Sequence, residues 1–188
     1  MDALLFAFVA AALAGIGDQT QVLSATLSAR GDRPVAVIVG MAVAAAVMAA
    51  IAFLAGSLVN DMVGVRAKTQ FVALALAFGG VTGLMKPEPL KWADRFRWGG
   101  SLGALLFGGY AAAGGRIQFM TLAFATRAET PLLAAIGGAL GLLAAAIPAA
   151  LLGNSFLALN LRPARIIVGI VLLIAGALVF LNAPAAAV

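Results

Sequence analysis

The chain has no cysteine and no histidine. Disulfides, thiolate redox chemistry, zinc-finger geometry and a histidine proton relay are therefore excluded. Any metal it handles must be a hard, oxygen-liking ion such as Mn²⁺, Ca²⁺ or Mg²⁺. Charge is almost as scarce. Only 10% of the 188 residues are charged, against 64% hydrophobic, and mean hydropathy is +1.11. A soluble domain of this length carries roughly 25% charged residues. Polar groups cannot cover this much apolar surface, so a lipid bilayer must. The chain reads as an all-α integral membrane protein.

The net charge of +5 does not point to nucleic acid. The basic residues sit in short loops between apolar stretches, the pattern that orients membrane proteins. A cleaved signal is not expected either. Asp2 stands where a basic region would be, and apolar character continues to about Ala29.

A spanning helix needs about 20 mostly apolar residues. Six stretches qualify: Ala3 to Ala29, Pro34 to Val59, Gln70 to Met85, Gly99 to Thr126, Pro131 to Leu152 and Ala164 to Leu181. Proline opens the second and fifth, where its missing N–H is harmless. The loops after the first, third and fifth stretches hold Arg30, Arg33, Lys86, Lys91, Arg95, Arg97, Arg162 and Arg165. The loops after the second and fourth hold only Arg66, Lys68 and Arg127. This bias predicts a cell inner-membrane protein with both termini periplasmic and the connector at 86–98 cytoplasmic. The alternating charges and two tryptophans of that connector suit an amphipathic segment at the interface.

The two halves of the chain match at an offset of 97 positions. Gly17 pairs with Gly114, Gln21 with Gln118, Arg30 with Arg127 and Pro34 with Pro131. Gly40, Gly56 and Gly79 pair with Gly137, Gly153 and Gly176. Three spans per repeat is an odd number, so the halves must enter the membrane from opposite sides. The expected architecture is two inverted three-helix repeats, at about 3–85 and 99–181, in a single membrane domain. Transporters built this way typically bind near the midplane, where the repeats meet.

Asp18 and Arg116 are the ionisable residues deepest in the predicted spans, in equivalent parts of the two repeats. A charge at the bilayer centre costs at least ~2.5–3.5 kcal/mol on insertion scales, so neither should face lipid. Gln19, Thr20, Gln21, Ser24, Gln118 and Thr121 lie near them in sequence. Two readings stay open. The cluster is a cation or proton site, or Asp18 and Arg116 pair while the Ser, Thr and Gln side chains join helices. Glycines at Gly15, Gly17, Gly114 and Gly115 suit close helix approach or local unwinding. Gly137, Gly138 and Gly141 could pack within the bundle or against a second copy in a homodimer.

The stretch Gly15-Ile16-Gly17-Asp18-Gln19-Thr20-Gln21 resembles the motif Glu-x-Gly-Asp-(Lys/Arg)-(Ser/Thr) of the transmembrane protein 165 type of cation/proton exchangers. That family carries the motif once in each half of a small six-helix transporter. Ala112-Ala113-Gly114-Gly115-Arg116-Ile117-Gln118 lies over the second copy. The resemblance implies secondary transport of Mn²⁺ or Ca²⁺ against protons. It implies Asp18 as a metal or proton ligand and Arg116 as an internal counter-ion. Thr20, Gln21, Ser24, Gln118 and Thr121 would line the site. Gly15, Ala112 and Gly115 stand where the family has three further carboxylates. Two other readings therefore stay open: a divergent exporter of another small solute or anion, and a non-transporting membrane partner of an intact homologue. No cofactor is expected, and no enzyme. There is no nucleophile–base pair and no metal-ligand spacing. Gly114-Gly115 lacks the strand and the Lys-Ser/Thr ending of a phosphate loop.

Overall fold

A computed structural model of the chain describes residues 2–30, 33–85 and 100–184. The connector predicted at 86–98 lies outside the described residues. All regular structure within them is helical: α1 Asp2–Gly15, α2 Gln19–Ala29, α3 Pro34–Met62, α4 Val65–Leu84, α5 Gly100–Ala113, α6 Arg116–Arg127, α7 Pro131–Leu152, α8 Asn154–Leu157 and α9 Arg162–Leu181.

Four of these, α3, α4, α7 and α9, are long and apolar enough to cross a membrane. The bent pair α1–α2 makes a fifth if counted as one span. At 14 residues, α5 falls short of a span by itself. The sequence predicts six stretches, with glycines in the first and fourth that suit close approach or local unwinding, and the structure interrupts both there. Each is two helices separated by a short break. At the first break the chain turns by 61°. Gly17 sits there in the left-handed region at φ +68°, which ends α1, and Asp18 then caps α2. At the second break two adjacent glycines, each disfavoured in a helix by about 1 kcal/mol relative to Ala, separate α5 from α6.

The packing is reciprocal. α1 lies against α7, and α5 lies against α3. α2 packs on α7 and α5, while α6 packs on α3 and α1. α3 meets α7, and α4 meets α9. The helices α4 and α9 have equal length and start 97 positions apart.

Side-chain size runs opposite to that of a soluble protein. The core is mostly small: Ala10, Ala11, Ala14, Ala104, Ala111, Ala123 and Ala146 are buried around Met41, Ile117, Met120 and Leu172. Large apolar residues point outward, as Val35, Val39, Val43, Val47, Ile51, Leu54 and Leu58 do along α3. Lipid is as apolar as leucine, so no hydrophobic force drives these helices together, and close backbone approach must hold them. The glycines of α7 provide it inside the bundle. A Cβ on Gly137 would overlap the Leu4 carbonyl of α1, and one on Gly138 would overlap the Thr121 side chain of α6. Phe119 of α6 sits edge-on to both Phe71 and Phe78 of α4, each at 5.4 Å between ring centres. That contact holds α4 beside the start of α6.

Overpacking an interior costs about 1–3 kcal/mol. Gly138→Leu is therefore expected to lower thermal stability in detergent by at least about 2 kcal/mol. A melting temperature equal to the parent's, read by size-exclusion chromatography after heating, would contradict this packing.

Candidate functional site

The first break leaves backbone groups outside any helix, and polar side chains satisfy them. Asp18 Oδ2 accepts from Thr20 N at 3.3 Å and from Thr20 Oγ1 at 2.9 Å. This is a helix cap formed by a carboxylate, and the positive end of the α2 dipole favours its charge. Gly17 N donates to Gln21 Oε1 at 2.7 Å, and Gln21 Nε2 donates to Ala145 O of α7 at 3.1 Å. Gln21 thus fastens the break to a neighbouring helix. The carbonyl of Ile16, between the two helices, accepts from Arg116 Nη2 at 3.0 Å.

Arg116 is the first residue of α6 and reaches from the second break to the first. Its Nε lies 3.4 Å from Asp18 Oδ1, a distance of ion pairing without hydrogen-bond alignment. The side chains of Arg116 and Asp18 are 4% and 11% exposed. The pair is therefore shielded from bulk solvent, where each charge depends on the other. Gly83 of α4 leaves room for the guanidinium, since a Cβ there would stand 3.0 Å from Arg116 Nη1.

A cavity of about 200 Å³ lies between the breaks. Its wall includes Gly17 and Asp18 from the first break, Gly114, Gly115 and Arg116 from the second, Phe78 and Thr82 from α4, and Arg165 from α9. The stem of Arg165 lies over Gly17, where a Cβ would come within 3.3 Å of its Cδ. The positive φ favours glycine at position 17, and a Cβ there would also press on the Arg165 stem. Among the described residues, no group of three His, Cys, Asp or Glu side chains converges to hold a metal ion.

The predicted site residues separate into three kinds. Asp18 and Arg116 meet and face the cavity. Thr20 and Gln21 support the break that presents Asp18. Ser24, Thr121 and Gln118 turn elsewhere. Ser24 Oγ donates to Thr20 O at 2.8 Å and Thr121 Oγ1 to Ile117 O at 2.8 Å, each within its own helix. Gln118 Nε2 donates to Met48 O of α3 at 2.9 Å. Arg165 does not stand out in sequence, because it reads as a cation at the very start of a span, counted with the loop before it. Its signal is the repeat: at the offset of 97 it lies over Lys68, so both halves carry a cation in the first turn of their last long helix.

Two helix breaks meeting at a buried ion pair resemble the discontinuous-helix sites found in membrane transporters. Residues 3–89 match the model of one family, described as divalent cation/proton antiporter GDT1. The match covers the first half of the chain, and it is to the kind of cation/proton exchanger that the Gly-Asp motif resembles. No curated protein and no solved structure showed a significant match.

Removing one partner of a buried pair costs about 3–5 kcal/mol. The cavity holds two arginines and one carboxylate, so the two removals are unequal. Asp18→Asn leaves two uncompensated cations, while Arg116→Gln leaves Asp18 with Arg165 nearby. Asp18→Asn is expected to destabilise more than Arg116→Gln, and the double variant less than the sum of the two. Thermal melts of the three variants check this, and a reversed order would remove Arg165 from the site.

Proposed function

We propose that the chain is a secondary transporter, and not an enzyme, that exchanges an inorganic divalent cation, Mn²⁺ or Ca²⁺, for protons. The observation that carries this reading is Asp18, a carboxylate held at a helix break and facing a cavity that it shares with Arg116 inside a helical bundle. The family match over residues 3–89 supports it. The broken pairs α1–α2 and α5–α6 would each cross the bilayer as one span. With α3, α4, α7 and α9 this gives six spans in two inverted repeats. Both termini would lie in the periplasm and the connector at 86–98 in the cytoplasm, as the loop charges favour.

In this reading Arg116 stands in for the cargo in the empty state. Its guanidinium spans two oxygens, Asp18 Oδ1 and Ile16 O, that a hard cation would also seek. A cation and Arg116 therefore compete for Asp18. Protonation of Asp18 would end the competition by removing the charge that holds either one. Deprotonation would restore the pair with Arg116 or admit a cation. Exchange follows, because Asp18 carries a proton or a metal ion and not both. The Thr20 hydroxyl, 2.9 Å from Asp18 Oδ2, would keep the carboxylate oriented through the cycle.

Flux through purified protein in liposomes tests this. Under an imposed pH gradient, Mn²⁺ or Ca²⁺ should move against protons, and Asp18→Asn should reduce that movement at least tenfold. Cation flux unchanged in Asp18→Asn, or no cation flux from folded parent protein, would overturn the reading.

A further inference from the structure

Two observations in the cavity are not explained by a cation. The first is charge. Arg165 is 9% exposed and its Nε has no hydrogen-bond partner. Among the described residues no carboxylate is paired with Arg165, and Asp18 is engaged by Arg116. Among the described residues, the ionisable side chains of the cavity wall are Arg116, Arg165 and Asp18, with a net charge of +1.

The second is an asymmetry between the two helix starts. The Asp18 carboxylate caps α2. At the offset of 97, Gly115 caps α6 and, having no side chain, supplies no acceptor to the first turn of that helix. An acceptor present in the first half is missing from the second. The place it would fill opens on the same cavity as the two arginines, since Gly114 and Gly115 both line it.

We propose that this cavity binds a small oxyanion, held by the guanidinium groups of Arg165 and Arg116 and by the uncapped start of α6. A guanidinium fork matches two oxygens of an oxyanion. The first turn of a helix adds N–H donors and a positive dipole end. About 200 Å³ is several water volumes, enough for phosphate or sulfate and too small for a nucleotide. A singly charged oxyanion brings the wall to neutrality. The proposal stands apart from cation exchange, because it concerns the resting charge of the cavity. The oxyanion could be a free inorganic ion or the phosphate of an anionic lipid headgroup.

Calorimetry separates these outcomes. Sodium phosphate is titrated into the full chain in phosphatidylcholine nanodiscs, with gluconate as the bulk anion. Saturable binding of one phosphate per chain is expected, weakened at least tenfold in Arg165→Gln. Arg165→Lys keeps the charge without the fork and should bind with intermediate strength, which preserves the test if the Gln variant does not fold. A parallel arm uses phosphatidylglycerol nanodiscs without phosphate. A higher melting temperature there for the parent, absent in Arg165→Gln, also supports the site and identifies the headgroup as its ligand. No saturable binding in the first arm and no shift in the second would overturn the proposal, as would equal phosphate binding by Arg165→Gln.

Discussion

The contact between Asp18 and Arg116 is the constraint to which the centre of this protein is fitted. It joins the two halves of the chain at the points where each loses its helical ladder. Without it, both charges would lose their closest partner in a bundle whose core is mostly alanine, leucine and valine. Much of the nearby structure keeps the pair in register. Gly17 supplies the left-handed turn, Gln21 fixes that turn to α7, and Thr20 orients the carboxylate. On the other side Gly83 yields space to the guanidinium, and Phe119 holds α6 against α4. The site is therefore a property of the junction between the halves, since each half alone has only one charge of the pair.

A buried ion pair contributes little net stability, because desolvation offsets its attraction. Its retention here is better understood through what it makes exchangeable. Arg116 meets one carboxylate and one carbonyl, both of which hard cations also bind. Arg165 adds a further positive charge with no acidic partner among the described residues. Such a centre responds to any ion that changes the local count of charge, whether proton, metal or anion.

Much of this was legible in the sequence. The scarcity of charge and the length of the apolar stretches give a helical membrane protein directly. Asp18 and Arg116 stand out because charge inside such a stretch is costly. The helix breaks were less legible. Gly15 and Gly17 suit close helix approach as well as unwinding, and the backbone angle at Gly17 decides between the two. Periodicity cannot report one residue's φ. Ser24, Gln118 and Thr121 were legible as polar groups in apolar helices. Their partners, backbone carbonyls of the same or an adjacent helix, depend on tertiary packing. Arg165 was hidden by its position at a helix start, where cations usually meet headgroups or water. Its burial follows from the way α9 lies across Gly17.

The pairing of α4 with α9 has a mechanical consequence. A Cβ on Gly80 would stand 2.7 Å from the Gly169 carbonyl, and one on Gly176 would stand 2.9 Å from the Ala73 carbonyl. Backbone therefore comes close to backbone at both places, and the Leu173 side chain also packs on Gly80. Interfaces packed this closely have low compressibility. Thr82 on one helix and Arg165 on the other thus sit on a single beam and keep a fixed spacing. If the bundle flexes, one wall of the cavity travels as a unit and the helix breaks opposite absorb the difference.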